Sequence, residues 1–207
     1  PGWMPSYVKQ GDFFIDFNEY TDKMDLSGFS EELLKKGIYN EDELLGIPTG
    51  VATLALVVNK TLADEIGLDF TDVTWEKLLE MGKQVQEYNS DCYFLNVDTA
   101  YLLTHVFRPY AMQLTGKSFI NDEELKINLT DKQITEILQY ISNLYSTKTV
   151  QAAGETATFE GAPQTNSKWV NGEIVCALTN SSQINNFASA NESAEYTVVN
   201  MPVQADS

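Results

Sequence analysis

The sequence predicts an α/β fold, and three observations support that prediction. Short apolar runs alternate with amphipathic helical segments along the whole chain. The run at residues 51–58 is rich in β-branched side chains and lies between Gly50 and Asn59, as expected of a buried strand. With 207 residues, 43% of them hydrophobic, the chain is long enough to bury one sizeable core or two modest ones.

The individual elements follow from apolar periodicity and from capping residues. Thr74 and the capping box of Thr130 are expected to begin two amphipathic helices, and Gly67 and Gly172 to end two shorter ones. Pro109 is expected to kink or break a mostly apolar helix. In chain order the predicted elements are a strand at 51–58, helices at 61–66 and 74–88, a strand at 92–95, helices at 99–114 and 130–145, a loop with one helical turn at 149–166, a short helix at 167–170, a strand at 174–178, a helix at 181–190 and a strand at 196–200.

The charge of the chain argues against nucleic acid as a partner, and its apolar runs are too short for a membrane span. The formal net charge is −17, and the 13 basic residues are scattered, whereas nucleic-acid binding needs clustered Lys and Arg. We therefore predict no nucleic-acid partner and interpret the acidity as a solubilising surface. No apolar run approaches the ~20 residues that a membrane-spanning helix needs.

Catalytic and metal-binding signatures are absent from the sequence. Cys92 and Cys176 form no CxxC pair, and we predict buried thiols, although a disulfide between neighbouring strands stays open. The single histidine, His105, lies in an apolar segment and is interpreted as partly buried and satisfied. There is no GxGxxG, P-loop or GxSxG signature, so we predict no catalytic residue, no cofactor and no metal.

Five segments occur in an order that identifies a family. They are Gly11–Phe17 (GDFFIDF), Gly46–Lys60 (GIPTGVATLALVVNK), Thr74–Leu78 (TWEKL), Trp169–Cys176 (WVNGEIVC) and Val198–Pro202 (VVNMP). This order resembles the extracellular solute-binding proteins of ABC importers, in the sugar-binding group like maltodextrin-binding protein. The sequence departs from the family pattern in two places: Val58 replaces an aromatic before Asn59, and Asp72-Val73 replaces the segment before Thr74 that carries a proline in the family.

The resemblance implies a periplasmic-binding-protein-like fold of two α/β lobes joined by crossing strands, with solute bound between them. It assigns residues 1–48 to the end of the first segment of lobe 1, 49–58 to a crossing strand, 59–195 to lobe 2 and 196–207 to the return toward lobe 1. On this alignment the chain is an internal fragment that contains mainly the second lobe. The resemblance also implies an extracellular location, either periplasmic or at the cell surface as a lipoprotein.

Candidate ligand-binding residues lie just after the predicted strands, because solutes bind beyond the carboxyl ends of strands in open α/β sheets. Asn180 and its neighbours also start a helix, where free N–H groups can bind polar atoms, but ordinary capping is the alternative. The resemblance adds two cleft aromatics, Trp3 and Tyr7. Trp75 and Trp169 lie on amphipathic faces and are predicted to be core residues. The full set of candidates is Trp3, Tyr7, Thr49, Gly50, Asp98, Tyr101, Asn180, Ser181 and Ser182.

The predicted function is non-catalytic capture of a small polar solute, a sugar or oligosaccharide, by a monomeric protein that delivers it to an ABC-transporter permease. Two alternatives stay open. A carbohydrate-active enzyme would need paired carboxylates in a pocket. A surface interaction domain would need a large exposed apolar patch.

Overall fold

The computed structural model describes residues 4–11, 13–34, 38–40, 42–48, 50–121 and 124–205. The chain divides into two compact units, Pro1–Val51 and Ala52–Ser207. This division falls inside the predicted crossing strand at 49–58. The other predicted domain boundaries stay predictions.

The first unit is built from short elements. In chain order they are α1 (Met4–Val8), a 3₁₀ turn (Phe17–Tyr20), α2 (Glu31–Leu34), β1 (Ile38–Asn40) and β2 (Glu43–Gly46). The two strands pair antiparallel. Oδ1 of Asp16 accepts hydrogen bonds from the backbone N–H groups of Asn18 and Leu44, each at 2.9 Å. One carboxylate therefore caps the 3₁₀ turn and ties it to β2.

The second unit holds the larger set of elements. In chain order they are β3 (Leu54–Asn59), α3 (Lys60–Ile66), α4 (Trp75–Tyr88), β4 (Tyr93–Asn96), α5 (Thr99–Tyr101), a π-helix (Leu102–Phe107), α6 (Arg108–Thr115), β5 (Ile120–Asn121), β6 (Lys126–Ile127), α7 (Asp131–Ser146), α8 (Ala153–Thr156), 3₁₀ turns at Ala157–Phe159 and Pro163–Thr165, α9 (Ser167–Val170), β7 (Ile174–Asn180), a 3₁₀ turn (Ser181–Gln183), α10 (Ile184–Ser189) and β8 (Tyr196–Asn200).

Four of these strands form one mixed sheet in the order β4-β7-β3-β8. β4 runs parallel to β7, and β3 runs antiparallel to both of its neighbours. The last residues of β4, β7 and β8 therefore lie at the same edge of the sheet as Leu54, the first residue of β3. We call this the carboxyl edge, defined by Leu54, Asn96, Asn180 and Asn200.

The predicted capping residues are confirmed. Oγ1 of Thr74 accepts from the N–H of Lys77, and Gly67 ends α3 in the left-handed conformation at φ 82°. Thr130 and Gln133 form the predicted reciprocal capping box at the start of α7. These capping residues set the helix ends because they provide hydrogen-bond partners for the backbone N–H and C=O groups that a helix leaves unpaired at its ends.

The apolar helix predicted at 99–114 stays helical through Pro109, as α5, a π-helix and α6 in succession, so the predicted break does not occur. The N–H of Arg108 bonds to the carbonyl of Leu103, five residues earlier, so the segment Leu102–Phe107 is a π-helix. Pro109 follows in the first turn of α6. Because proline has no N–H, it cannot continue the regular i→i−4 pattern. Such π-segments are rare and frequently lie at functional sites.

Two apolar clusters cover the two faces of the sheet. Leu56 and Val58 of β3 belong to the larger cluster, together with Trp75, while Val57 belongs to a smaller cluster around Trp169. This alternation follows from the two-residue period of a strand. Trp75 and Trp169 are 0% and 1% exposed, so their predicted core positions are confirmed.

Several predicted elements differ in extent from the structure; β7, for example, runs to Asn180 and not to residue 178. The first long strand begins at Leu54, because Leu54 pairs with Asn180, the last residue of β7. The segment at 149–166 contains three short helical turns where one was expected. The helix expected at 181–190 starts as a 3₁₀ turn and becomes α-helical at Ile184.

Both cysteines are buried and free, so the open disulfide alternative is excluded. The reason is strand register: Cys176 lies opposite Leu95. Cys92 is displaced along that strand by about 10 Å, beyond the separation that a disulfide can bridge. Within the described residues, no helix has the length and apolar composition needed to cross a membrane.

Candidate functional site

The helical segment from α5 to α6 runs along the carboxyl edge and carries the main candidate side chains. It begins directly after β4, where Asp98 caps α5. Asp98 is fully buried, and its two oxygens accept from the N–H groups of Tyr101 and Gly161, each at 2.7 Å. Asp98 is one of the predicted ligand contacts. In the structure each of its carboxylate oxygens accepts a hydrogen bond from a backbone N–H, so the side chain connects α5 to the loop at 149–166.

Buried amides fix the same loop to the end of β4. Nδ2 of Asn166 donates to Oδ1 of Asn96 at 2.9 Å and to Oε1 of Gln151 at 2.6 Å. Nδ2 of Asn96 donates to the carbonyl of Pro163 at 2.8 Å. A buried network whose groups are satisfied in this way rigidifies its surroundings. The edge of the site beside β4 is therefore held in a defined position.

Tyr101, His105 and Asn180 come together at this edge. The ring of Tyr101 stacks on His105 with centroids 4.2 Å apart. Nδ2 of Asn180 lies 3.4 Å from Nε2 of His105. The Asn180 side chain makes no capping hydrogen bond to the 3₁₀ turn that follows it. The capping alternative considered for Asn180 therefore does not apply.

The hydrogen bonds around His105 define its tautomer. The hydroxyl of Thr104 donates its proton to the carbonyl of Ala100, so its oxygen accepts from Nδ1 of His105 at 2.7 Å. Nε2 then carries the lone pair of the neutral ring, which faces the Asn180 amide. Burial lowers the pKa of His105, against the smaller opposing effect of the Asp98 charge. Burial also raises the pKa of the Tyr101 hydroxyl.

Ser181 and Ser182 have different surroundings. The N–H of Ser181 donates to the carbonyl of Thr53 at 2.8 Å, and its Oγ accepts from the N–H of Thr53 at 3.2 Å. Ser181 therefore fastens the chain entering β3, with its hydroxyl proton still available. Ser182 is exposed.

The remaining candidates belong to the first unit. Tyr7 is 48% exposed, and its ring meets Phe13 edge to face, with centroids 6.2 Å apart. Gly50 is exposed. Trp3 and Thr49 lie outside the described residues.

A cavity of about 530 Å³ opens beside Thr53 and the start of α6. This volume is within the usual range of small-molecule sites, about 300–1,000 Å³. Its lining is largely apolar, with polar groups from Arg108, Thr53 and Ser118; the apolar side includes Leu54, Met112, Phe119 and Met201. Leu54 is the first residue of β3 and Met201 follows β8, so the cavity lies along the carboxyl edge.

Sequence reasoning missed His105 and Arg108 as site residues. A signal was available, because they are the only histidine and the only arginine of the chain and lie three residues apart. Their positions at the edge depend on the π-helix, which apolar periodicity does not reveal.

The arrangement offers hydrogen bonds and flat ring faces to a ligand. The Asn180 amide and the hydroxyls of Ser181 and Ser182 supply polar contacts, and Tyr101 supplies an aromatic ring. No group of three or more His, Cys, Asp or Glu residues that could hold a metal ion occurs within the described ranges. The chemistry of these groups is that of a binding site for a polar molecule.

A family model described as bacterial extracellular solute-binding protein matches residues 1–206. A search of curated proteins returns no match. Many solved structures are similar over nearly the whole chain, among them three solute-binding proteins. A periplasmic solute-binding protein from Pectobacterium atrosepticum has 22% identity and a TM-score of 0.87 over 99% of this chain and 51% of its own.

The second is a periplasmic oligogalacturonide-binding protein from Yersinia enterocolitica in complex with saturated digalacturonic acid, with 21% identity and a TM-score of 0.84 over 99% of this chain and 51% of its own. The third is an ABC substrate-binding protein from Listeria monocytogenes in complex with cycloalternan, with 18% identity and a TM-score of 0.75 over 96% of this chain and 50% of its own. The chain thus spans about half the length of these proteins. The predicted periplasmic-binding-protein-like α/β fold is confirmed.

Proposed function

The chain belongs to the bacterial extracellular solute-binding proteins, and on that premise we propose that it captures a small saccharide at the carboxyl edge for delivery to an ABC-transporter permease. The protein of which this chain forms part would bind its ligand without transforming it. The ligand would be released to a membrane partner.

The observation that carries the proposal is the group of Tyr101, His105 and Asn180. Asn180 ends β7 with an amide that no helix cap uses, and its Nδ2 lies 3.4 Å from Nε2 of His105. One N–H and the carbonyl oxygen of that amide stay available to sugar hydroxyls, which both donate and accept. The aromatic ring of Tyr101 offers an apolar face to the C–H face of a pyranose.

We propose that the two units belong to different lobes. Residues 1–48 would complete a segment of lobe 1, residues 59–195 would form lobe 2, and 49–58 and 196–207 would be the crossings. Strands β3 and β8, near these crossings, pair antiparallel in one sheet. Ligand binding would then favour the closed form, provided that the ligand contacts both lobes. Tyr7, Gly50, Thr49 and Trp3 would be the contacts from the lobe 1 side.

Two similar structures contain saccharides, one saturated digalacturonic acid and the other cycloalternan. This supports a saccharide as the ligand class here. We further propose a monomeric protein without a cofactor, located in the periplasm or anchored to the cell surface by a lipid. Asp98 would position the site and not touch the ligand, because its side chain is fully buried and bonded to two backbone N–H groups.

A thermal-shift screen of the full-length protein tests the proposal. Monosaccharides, oligosaccharides, polyols, amino acids and peptides would be compared, with product analysis by chromatography. Specific binding raises the melting temperature by mass action, by an amount that grows with ligand concentration. A shift with one saccharide class and an unchanged ligand would support capture. A shift with amino acids or peptides alone, or consumption of a glycoside, would overturn it.

A further inference from the structure

Among the residues that the structure describes, Arg108 is the single charged one that lines the 530 Å³ cavity. It is also the only arginine of a chain that carries a net charge of −17. Within the described residues its guanidinium has no ion pair and no hydrogen bond, whereas Lys77 and Lys168 each hold a carboxylate at 3.1 Å and 2.9 Å. An unpaired guanidinium at the rim of a cavity is free to bind a ligand.

Arg108 continues the helical segment that carries His105. The side chain of His105 reaches Asn180 at the end of β7, while that of Arg108 lines the cavity beside Thr53 and Leu54 at the start of β3. The polar group at Asn180 and the cavity therefore lie along the same helix and the same sheet edge. An oligosaccharide lying along this edge would place one sugar at each position.

The chemistry of the lining indicates the type of sugar. A guanidinium only donates hydrogen bonds, and its planar fork matches a carboxylate with two parallel N–H···O bonds. The side chains of Met112 and Phe119 in the lining offer apolar surface to a sugar ring. A ring with one carboxylate and apolar C–H faces, as in a uronic acid, matches both features.

A phosphate fits this cavity less well than a carboxylate. Phosphate sites usually combine several backbone N–H groups at a helix N-terminus. Here the N–H of Arg108 is already bonded to the carbonyl of Leu103, and Pro109 has no N–H. Neither of the first two residues of α6 therefore offers a free backbone donor, and the guanidinium is the main anion-binding group.

We propose that this cavity is the subsite for the carboxylate-bearing residue of an acidic saccharide, with Arg108 as the residue that selects the acidic form over the neutral one. The inference rests on the proposed function, since it names the substrate class of the same site. His105 is neutral above its lowered pKa, so Arg108 alone would supply the positive charge.

Isothermal titration calorimetry of the full-length protein tests this inference. The probes are digalacturonate, its neutral counterpart galactobiose, and glucose 6-phosphate, each at low and high salt. We expect digalacturonate to bind at least about tenfold more tightly than galactobiose, which corresponds to about 1.4 kcal/mol. The preference should shrink at high salt because the attraction is electrostatic.

Three variants locate the preference in the cavity. Arg108→Gln should weaken digalacturonate binding about tenfold more than it weakens galactobiose binding. Arg108→Lys keeps the charge without the planar fork and should recover only part of the affinity. Lys117→Gln removes a nearby positive charge outside the cavity lining and should leave both affinities unchanged.

Several outcomes would overturn the inference. Equal or tighter binding of galactobiose, a preference for glucose 6-phosphate, or an equal loss in Lys117→Gln would each exclude Arg108 as a carboxylate selector. In those cases saccharide capture itself would still stand. Binding of no saccharide at all, acidic or neutral, would overturn both the inference and the proposed function. The comparison of probes on the unaltered protein does not depend on the folding of any variant.

Discussion

The ring of Tyr101 lies flat against the imidazole of His105, with centroids 4.2 Å apart and an angle of 2° between the planes. Stacking of this kind buries the imidazole face and leaves His105 only 7% exposed. The same contact fixes the orientation of the ring whose Nε2 faces Asn180. The protonation state of His105 and the geometry of the candidate site are therefore linked.

The pH dependence of stability should carry a contribution from His105. Burial lowers its pKa below the ordinary value of 6.5, so the unfolded chain takes up this proton more readily than the native protein. This stabilising contribution is present in full at pH values above the pKa of His105 in the unfolded chain. It is lost as the pH falls from that value to the pKa of His105 in the native protein. We expect His105→Gln to flatten this part of the curve of unfolding free energy against pH, measured by urea denaturation.

The titration of His105 can also be followed directly by NMR. Comparison of the unaltered protein with His105→Gln assigns the ring signals of His105, the only histidine of this chain. The carboxylates titrate in both the variant and the unaltered protein, so the difference between their stability curves isolates His105. A native pKa at or above 6.5 would mean that the charge of Asp98 outweighs burial.

Replacing Asp98 should loosen the contact between the helix and the loop at 149–166. Asp98→Asn keeps the shape of the side chain but places an NH₂ group opposite one of the two N–H donors, Tyr101 or Gly161. Leaving a buried donor unsatisfied costs about 1–3 kcal/mol. We expect a loss of that size in the free energy of unfolding, and faster amide exchange at Gly161.

An exposed aspartate of the same unit provides the control for this variant. Asp64 forms an ion pair with Lys60 on the surface of α3. Such pairs contribute little, so Asp64→Asn should change the unfolding free energy by less than about 1 kcal/mol. Equal losses in the two variants would indicate a general effect of charge and not the hydrogen bonds of Asp98.

Packing between α4 and the segment after α7 leaves no space for a methyl group at Gly82. A Cβ there would lie 2.8 Å from Cγ2 and 2.9 Å from Cβ of Thr149, and closer still to its Oγ1. Thr149 is fully buried, and its Oγ1 is hydrogen-bonded to that of Thr147 at 2.7 Å. We expect Gly82→Ala to cost about 1–3 kcal/mol in urea unfolding.

Gly154 is the matched control for Gly82. A Cβ at Gly154 would have no neighbour within 4 Å, and the residue lies in the short helix α8. Gly154→Ala should therefore be neutral or stabilising by up to about 1 kcal/mol. If Gly82→Ala were equally neutral, the segment that contains Thr149 could move away from α4 at little cost in free energy. The close packing at Gly82 would then not limit stability.

Much of the fold was predictable because its signals are local. Residues only a few positions apart determine the capping box of Thr130, the left-handed helix end at Gly67 and the strand from Leu54 to Val58. The strand Tyr196–Asn200 and the helix Ser167–Val170 have the predicted bounds. The α/β fold class followed from the alternation of these local elements.

The site was predicted in part, because its contacts join residues that are far apart in sequence. Asn180 meets His105 across 75 residues, and Asp98 bonds to Gly161 across 63. The strand-end rule correctly located Asp98, Tyr101 and Asn180 at one edge, but it could not reveal that the oxygens of Asp98 are already bonded. The π-helix, which leads from His105 to Arg108, has no periodic signal in the sequence.

The sharpest test of the site is Asn180→Ala, because affinity and stability should respond differently. The Asn180 amide makes no capping bond, and its 3.4 Å contact with Nε2 of His105 is long, so its removal should change the unfolding free energy by less than about 0.5 kcal/mol. A saccharide that bonds to this amide should lose about tenfold in affinity, near 1.4 kcal/mol, by titration calorimetry. Asn185→Ala, on the exposed side of α10, should change neither quantity. Unchanged affinity in Asn180→Ala would remove this residue from the ligand contacts. The Tyr101 ring, in the helix that follows β4, would then be the main candidate.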